Sequence, residues 1–167
     1  THACEAAAAA TLQRELGLSD VTARLLAIRG HHDLDAARRF LAPSLDQLHD
    51  PFLLADMERA VVRLERAIAN RERIAVHGDY DVDGITSTVI LRRAMEMLGG
   101  NVGHFIPDRL KDGYGLQPST IDRLHAEGAS VVVSVDCGIR GHEAAIRARE
   151  LGVDLIITDH HEPGAEL

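Results

Sequence analysis

Tryptophan is missing from this 167-residue chain, and aromatic residues amount to only 3% of it. With 46% of the residues hydrophobic, the core must be built mainly from Ala, Leu, Ile and Val. Lysine is almost missing as well, since Lys111 is the only one and arginine carries the remaining basic charge. A formal net charge of -8 argues against a generally basic protein that coats nucleic acid, while leaving room for a local basic groove. The two cysteines, Cys4 and Cys137, lie far apart without CxxC spacing. That argues against a disulfide framework and makes a reducing cytoplasm the expected compartment. No apolar run is long enough to span a bilayer, so no membrane association is expected. The alanine-rich start carries acidic residues and does not read as a signal peptide.

What is present divides in two. Residues 1–70 read as a helical region. "CEAAAAATLQRELGL" is rich in helix formers and stops at Gly17. Ser19 or Asp20 is placed to cap a second helix through Ile28, and Asp33 or Asp35 a third through Leu41. "APSLDQLHDP" is turn-rich. "MERAVVRLERAIANRE" then puts Val61, Leu64, Ala67 and Ile68 on one helical face and arginines on the other. The main boundary is expected between residues 65 and 73. From 71 to 167 the pattern alternates. "IAVHGD", "NVGHFIP", "SVVVSVDCG" and "VDLIITDHH" read as strands, separated by helical stretches beginning near Gly84, Pro118 and Gly141. Continuous Val/Ile runs alternating with helices predict an α/β fold, a parallel sheet flanked by helices.

That topology gathers chemistry. Asp79, Asp81 and Asp83 follow the first strand, Asp136 the third, and Asp159 with His160 the fourth. In an open parallel sheet, ligands bind beyond the carboxyl ends of the strands, so these groups are expected at one edge. The stretch "HGDYDVDG" also has the opening of an EF-hand loop. An EF-hand needs a bidentate Glu at loop position 12, where this chain has Ile90, and a helix entering the loop, where it has an apolar β-branched run. The calcium-loop reading fails.

A catalytic metal site accounts for more of the residues. His77, Asp81 and Asp83 can face one pocket from a tight strand-to-helix turn, Asp136 can bridge two cations, and His160 can add a nitrogen ligand. Two cations about 3.5–4 Å apart can activate a water and polarise a phosphoryl group. Aspartates and waters alone suit Mg²⁺, and imidazole shifts the preference towards Mn²⁺. Taken singly, Asp136 reads as a helix N-cap and Cys137 as a small buried apolar residue. Thr86 and Ser87 suit either a phosphate or the helix start.

The motifs "HGDYDVDG", "SVDCGI" and "TDHHEPG" resemble motifs I, II and III of the DHH phosphoesterase superfamily. Tyr80, the segment "IPDRLKDGYGL" and the helical extension resemble its bacterial single-strand-specific DNA exonucleases in particular. The resemblance is close over residues 50 to 167 and loose before that. It implies hydrolysis of single-stranded DNA from the 5′ end with two Mn²⁺ or Mg²⁺ ions, in DNA repair and recombination. A helicase and a single-strand-binding protein are candidate partners.

Carried onto this chain, the resemblance implies His77, Asp81, Asp83, Asp136 and His160 as metal ligands, with Asp79 touching a metal or placing its water. It implies His161 as the catalytic histidine, with Asp136 beside it in the catalytic set. Arg109 is the candidate phosphate grip, Lys111 a source of general attraction, and Tyr114 a base-stacking surface. Family members carry a fourth motif with a further metal-binding aspartate, then a DHHA1 domain. The chain ends at Leu167, before either, so it is expected to be the N-terminal part of a longer enzyme. Two other readings stand beside this one: a phosphoesterase for pyrophosphate, oligonucleotides or cyclic dinucleotides, and a non-catalytic DHH scaffold.

Overall fold

The computed structural model describes residues 2–113 and 115–165. It divides into two compact units, Thr1–Leu53 and Leu54–Leu167. The first unit is helical: α1 (His2–Leu16), α2 (Asp20–Ile28) and α3 (Leu34–Leu41). Ser19 caps α2 by accepting from the Thr22 amide, and Asp33 caps α3 by accepting from Ala36. Each cap satisfies a backbone donor that the first helical turn would otherwise leave unpaired. The interior of this unit is Ala9, Leu12, Ala23, Leu26, Ala27 and Ala37. Alanines dominate it, as the shortage of aromatics requires.

The second unit carries α4 (Met57–Ala69), β1 (Arg73–His77), α5 (Val82–Met97), β2 (Asn101–Phe105), α6 (Pro118–Ala126), β3 (Ala129–Val135), α7 (His142–Leu151) and β4 (Asp154–Thr158). The four strands form one parallel sheet in the order β2-β1-β3-β4. Side chains alternate across it. Ile74, Val76, Val131, Val133 and Val135 face α4 and α5 through Ala67 and Met95, while Ala75 and Val132 face α6 and α7 through Ile121, Leu124, Ala144 and Ala148. The sheet is therefore buried on both sides, and its strands read as continuous apolar runs for that reason.

The division falls at Leu53/Leu54, earlier than the expected boundary between residues 65 and 73. The cause is the apolar face of α4, since Leu64, Ala67 and Ile68 pack on Ile74 and Val76 and so tie the helix to the sheet. Arg63 reinforces this. It is not on a solvated face with the other α4 arginines but mostly buried, bridging Glu72 and Asp154 at 2.5 Å each. Helix α5 starts at Val82, inside the acidic loop, two residues before the expected Gly84. Among the described residues, no helix is long and apolar enough to cross a membrane.

The sheet order creates the crevice. From β1 the chain crosses to β2 on one side, whereas β3 lies on the other. Connections thus diverge between the carboxyl ends of β1 and β3, where ligands settle in open α/β sheets. If α4 is packed as described, Ala67→Leu overfills a fully buried position and lowers unfolding free energy by about 1–3 kcal/mol in urea denaturation. An unchanged midpoint would remove α4 from the sheet unit.

Candidate metal centre

The loop from β1 to α5 owes its shape to glycine. A Cβ on Gly84 would lie 2.4 Å from the Asp79 backbone nitrogen, so only glycine lets α5 start so close to the strand end. Within this turn Asp81 caps α5, its Oδ1 accepting from the amides of Asp83 and Gly84 at 3.0 Å each. Hydrogen bonding from Gly84 chiefly holds the Asp81 carboxyl below the usual range. Asp79 is buried, and its Oδ1 accepts from the Tyr80 amide at 2.7 Å.

Asp136 arrives from the end of β3 and is not an N-cap. Helix α7 begins at His142 after Gly141, and Asp136 instead sits at φ +61, a left-handed conformation uncommon for a residue with a side chain. It is 7% exposed. Its Oδ1 lies 2.9 Å from His160 Nε2, while Oδ2 is buried without a hydrogen-bond partner. Burial first, and then the neighbouring Asp81 charge, pushes its pKa above the usual carboxylate value.

Two groups of potential ligands converge here. Asp79, Asp81 and Asp136 form one, and Asp136, His160 and His161 the other, with the ligand atoms of each group within 4.8 Å of one another. Asp136 belongs to both. This donor chemistry fits divalent cations. Clustered carboxylates, here with Asp79 and Asp136 buried, repel unless a cation or a shared proton intervenes, and Asp136 Oδ2 is an unpartnered acceptor within the cluster.

The other expected residues divide. Asp83 lies in the first turn of α5, exposed, and joins neither group. His77 also joins neither group. It is fully buried, with Nδ1 3.4 Å from Cys137 Sγ and with Nε2 buried and unpartnered. Burial pushes its pKa down to about 4, and burial pushes the Cys137 thiol up to about 11. Arg109 stands over the Tyr80 ring at 5.2 Å, which ties its loop to the metal-loop turn. Lys111 is paired with Asp108 at 3.4 Å and largely exposed. Tyr114 lies outside the described residues. Thr86 turns its hydroxyl back onto the Val82 and Asp83 carbonyls, whereas Ser87 lines a cleft of about 410 Å³ with Asp136 and His160.

Sequence reasoning missed three contributors. Asp159 stands at the sheet edge, and its residue type alone assigns it no task. Its Oδ2 accepts from the Ile139 amide at 3.0 Å, and its Oδ1 accepts from the His161 amide at 3.1 Å and faces His161 Nδ1 at 2.7 Å. Although burial works against it, these bonds hold the Asp159 carboxyl low, and Asp159 in turn raises the His161 pKa. Arg140 donates to the Glu162 carbonyl at 3.0 Å and lines a second cleft of about 330 Å³ with Gln117, Asp159 and His161. Ser134 contacts Cys137 from inside β3. Only Asp159 had a readable signal, an Asp two residues before a histidine after a strand.

Residues 73–167 match the family model described as "DHH family, N-terminal domain". The chain is 41% identical over 158 residues to the single-stranded-DNA-specific exonuclease RecJ of Bacillus subtilis, covering 94% of this chain and 20% of that protein. It is 46% identical over 115 residues to RecJ of Escherichia coli, covering 68% of this chain and 20% of that protein. A crystal structure of RecJ in complex with Mn²⁺ from Thermus thermophilus superposes with a TM-score of 0.72 at 33% identity, covering 95% of this chain and 22% of that one. The chain thus spans about 20% of the length of these curated relatives.

The Asp136 geometry gives a stability prediction. A carboxyl whose pKa is raised on folding stabilises most below its unfolded pKa, and that contribution is lost as pH rises through the folded pKa. At pH 7, without divalent ions, Asp136→Asn is therefore expected to melt higher than the unsubstituted chain, since Asn tolerates the same backbone. Mn²⁺ at 100 times its dissociation constant should add about 2.7 kcal/mol to the unsubstituted chain and little to the variant. Equal Mn²⁺ shifts in thermal unfolding would remove Asp136 from the cation site.

Proposed function

Because the chain belongs to the DHH family, we propose that it forms the catalytic metal-binding part of an exonuclease that hydrolyses single-stranded DNA from the 5′ end with Mn²⁺ or Mg²⁺. The observation that carries this reading is Asp136, whose carboxylate belongs to both ligand groups at the switch point of the sheet. The similarity to RecJ exonucleases, one of them in complex with Mn²⁺, supports the same assignment.

In this reading Asp136, Asp79, Asp81 and His160 would hold the cations, with Asp136 shared between the two ligand groups. Asp83 and His77 complete the surroundings from the first turn of α5 and the end of β1. When bound, the cations supply Lewis acidity towards a phosphate oxygen. The chain's own groups do the rest. Asp159 fixes the His161 ring through Nδ1, which leaves the chemistry of that ring to Nε2. A histidine whose pKa is raised in this way suits hydrogen-bond or proton donation to a phosphoryl or leaving oxygen. Arg109, held against the ring of Tyr80 next to Asp79 in the chain, is the phosphate grip of this reading. Arg140 is positioned to contact a phosphate in the neighbouring cleft. Lys111, committed to Asp108, contributes only general attraction.

The proposal extends to DNA repair and recombination in the cytoplasm, where Cys137 is a free thiol. Single strands become available where a duplex has been opened or unpaired DNA is covered, so a helicase and a single-strand-binding protein are the fitting partners.

The test uses the chain in its full-length context with 5′-labelled single strands, duplexes, pyrophosphate and cyclic dinucleotides, in Mn²⁺ or EDTA. Mononucleotides should appear from single strands only, and only with the cation. Preference for a small phosphoester would overturn the substrate assignment. Arg109→Ala should weaken single-strand binding about 10-fold, the scale of one charge-assisted hydrogen bond, with Mn²⁺ affinity unchanged. Undiminished DNA binding would discard the grip.

A further inference from the structure

The parallel register sets His77 directly beside Ser134, and Phe105 flanks His77 on the other side. Beyond Ser134 the chain turns through Asp136 and brings Cys137 back over both side chains. His77, Ser134 and Cys137 are fully buried, with 0%, 0% and 1% of their surfaces exposed. Ser134 Oγ bonds the Cys137 carbonyl oxygen and lies 3.3 Å from Cys137 Sγ, and Sγ lies 3.4 Å from His77 Nδ1. His77 Nε2 has no partner.

The donors in this chain can be assigned by counting protons. A carbonyl oxygen can only accept, so the single Ser134 hydroxyl proton goes to Cys137 O. Taking the 3.3 Å contact between Ser134 Oγ and Cys137 Sγ as a hydrogen bond, Oγ accepts from the thiol, which uses the single Sγ–H. With that proton spent, the sulfur can only accept from His77, so the imidazole carries its proton on Nδ1. Nε2 is left as a bare lone pair. We propose that Ser134 and Cys137 form a directional hydrogen-bond relay that locks neutral His77 in its Nδ1–H tautomer and presents the Nε2 lone pair to a divalent cation. The last step rests on the metal-site reading under "Proposed function", whereas the tautomer rests on the relay alone.

Two further features support the relay. A Cβ on Gly138, at φ +110, would stand 2.8 Å from Ser134 Oγ, so glycine keeps the hydroxyl's position open. The Ser134 backbone carbonyl is already occupied by the Thr158 hydroxyl at 2.9 Å, which anchors the strand end carrying the relay. Ser134 and Cys137 act here as positioning residues. A metal-bound histidine commonly has its other ring nitrogen fixed in this manner by a hydrogen-bond partner, and disturbing such partners typically lowers metal affinity by about 10–100-fold.

The experiment is ¹⁵N NMR of the histidine-labelled chain in EDTA, with the His77 signals assigned by their loss in His77→Gln. The expected spectrum has Nδ1 protonated and Nε2 of the bare, pyridine type. In Ser134→Ala the thiol loses its acceptor and turns its proton to Nδ1, so the tautomer should switch to Nε2–H. Calorimetric Mn²⁺ affinity should then fall about 10-fold or more. Cys137→Ser keeps one donor and one acceptor in place and should retain the original tautomer. A protonated Nε2 in the unsubstituted chain would overturn the relay, as would an unswitched tautomer in folded Ser134→Ala. If Ser134→Ala does not fold, the unsubstituted chain and Cys137→Ser still decide, since a protonated Nε2 in either refutes the relay. Mn²⁺ should broaden the Nε2 signal of the unsubstituted chain. A correct tautomer without broadening would overturn His77 as a ligand while the relay stands.

Discussion

β1 and β3 run side by side in parallel, with His77 opposite Ser134, and this pairing decides where the reactive side chains lie. Neighbouring strands are about 4.8 Å apart, so whatever follows each strand end must share one small volume. Asp79 and Asp81 come from one end and Asp136 from the other. β4 pairs on the far side of β3 and delivers Asp159, His160 and His161 to the same edge. A one-residue slip between β1 and β3 would turn His77 to the opposite face and break both the buried relay and the carboxylate cluster.

Such a cluster works against the fold that holds it. Asp136 is buried, repelled by Asp81 and bent into a left-handed conformation, and each of these costs stability. The sheet offsets the cost. Ile74, Val76, Val131, Val132 and Val133 are essentially inaccessible, and burying each aliphatic side chain contributes about 1.5–3 kcal/mol. The strain sits at the ends of strands whose middles are the best-packed part of the unit, which is where a fold can hold uncompensated charge ready for a cation.

The sequence disclosed the strands because a doubly covered parallel sheet must be apolar on both faces, and "SVVVSV" leaves no other reading. It disclosed the helix caps Ser19 and Asp33, whose bonds are local. It misjudged what depends on distant partners. Arg63 stands between Arg59 and Arg66 on α4, and nothing local distinguishes it, because its partners Glu72 and Asp154 come from beyond the helix. Asp136 taken singly reads as a cap because its φ of +61 is invisible in the residue type, and only its place at the shared sheet edge points to the metal site. Cys137 looked inert because the histidine it meets is sixty positions away in sequence and beside it only through the sheet.

The two histidines that differ most in chemistry are distinguished by what holds Nδ1. In His161 it is a carboxylate, Asp159, and the hydrogen bond to it raises the ring's pKa. In His77 it is a thiol sulfur, and burial of the ring pushes its pKa down to about 4. In the proposed reading the raised His161 suits donation to a phosphoryl oxygen, and the buried His77 ring suits a cation. The difference comes from the carboxylate partner for His161 and from burial for His77.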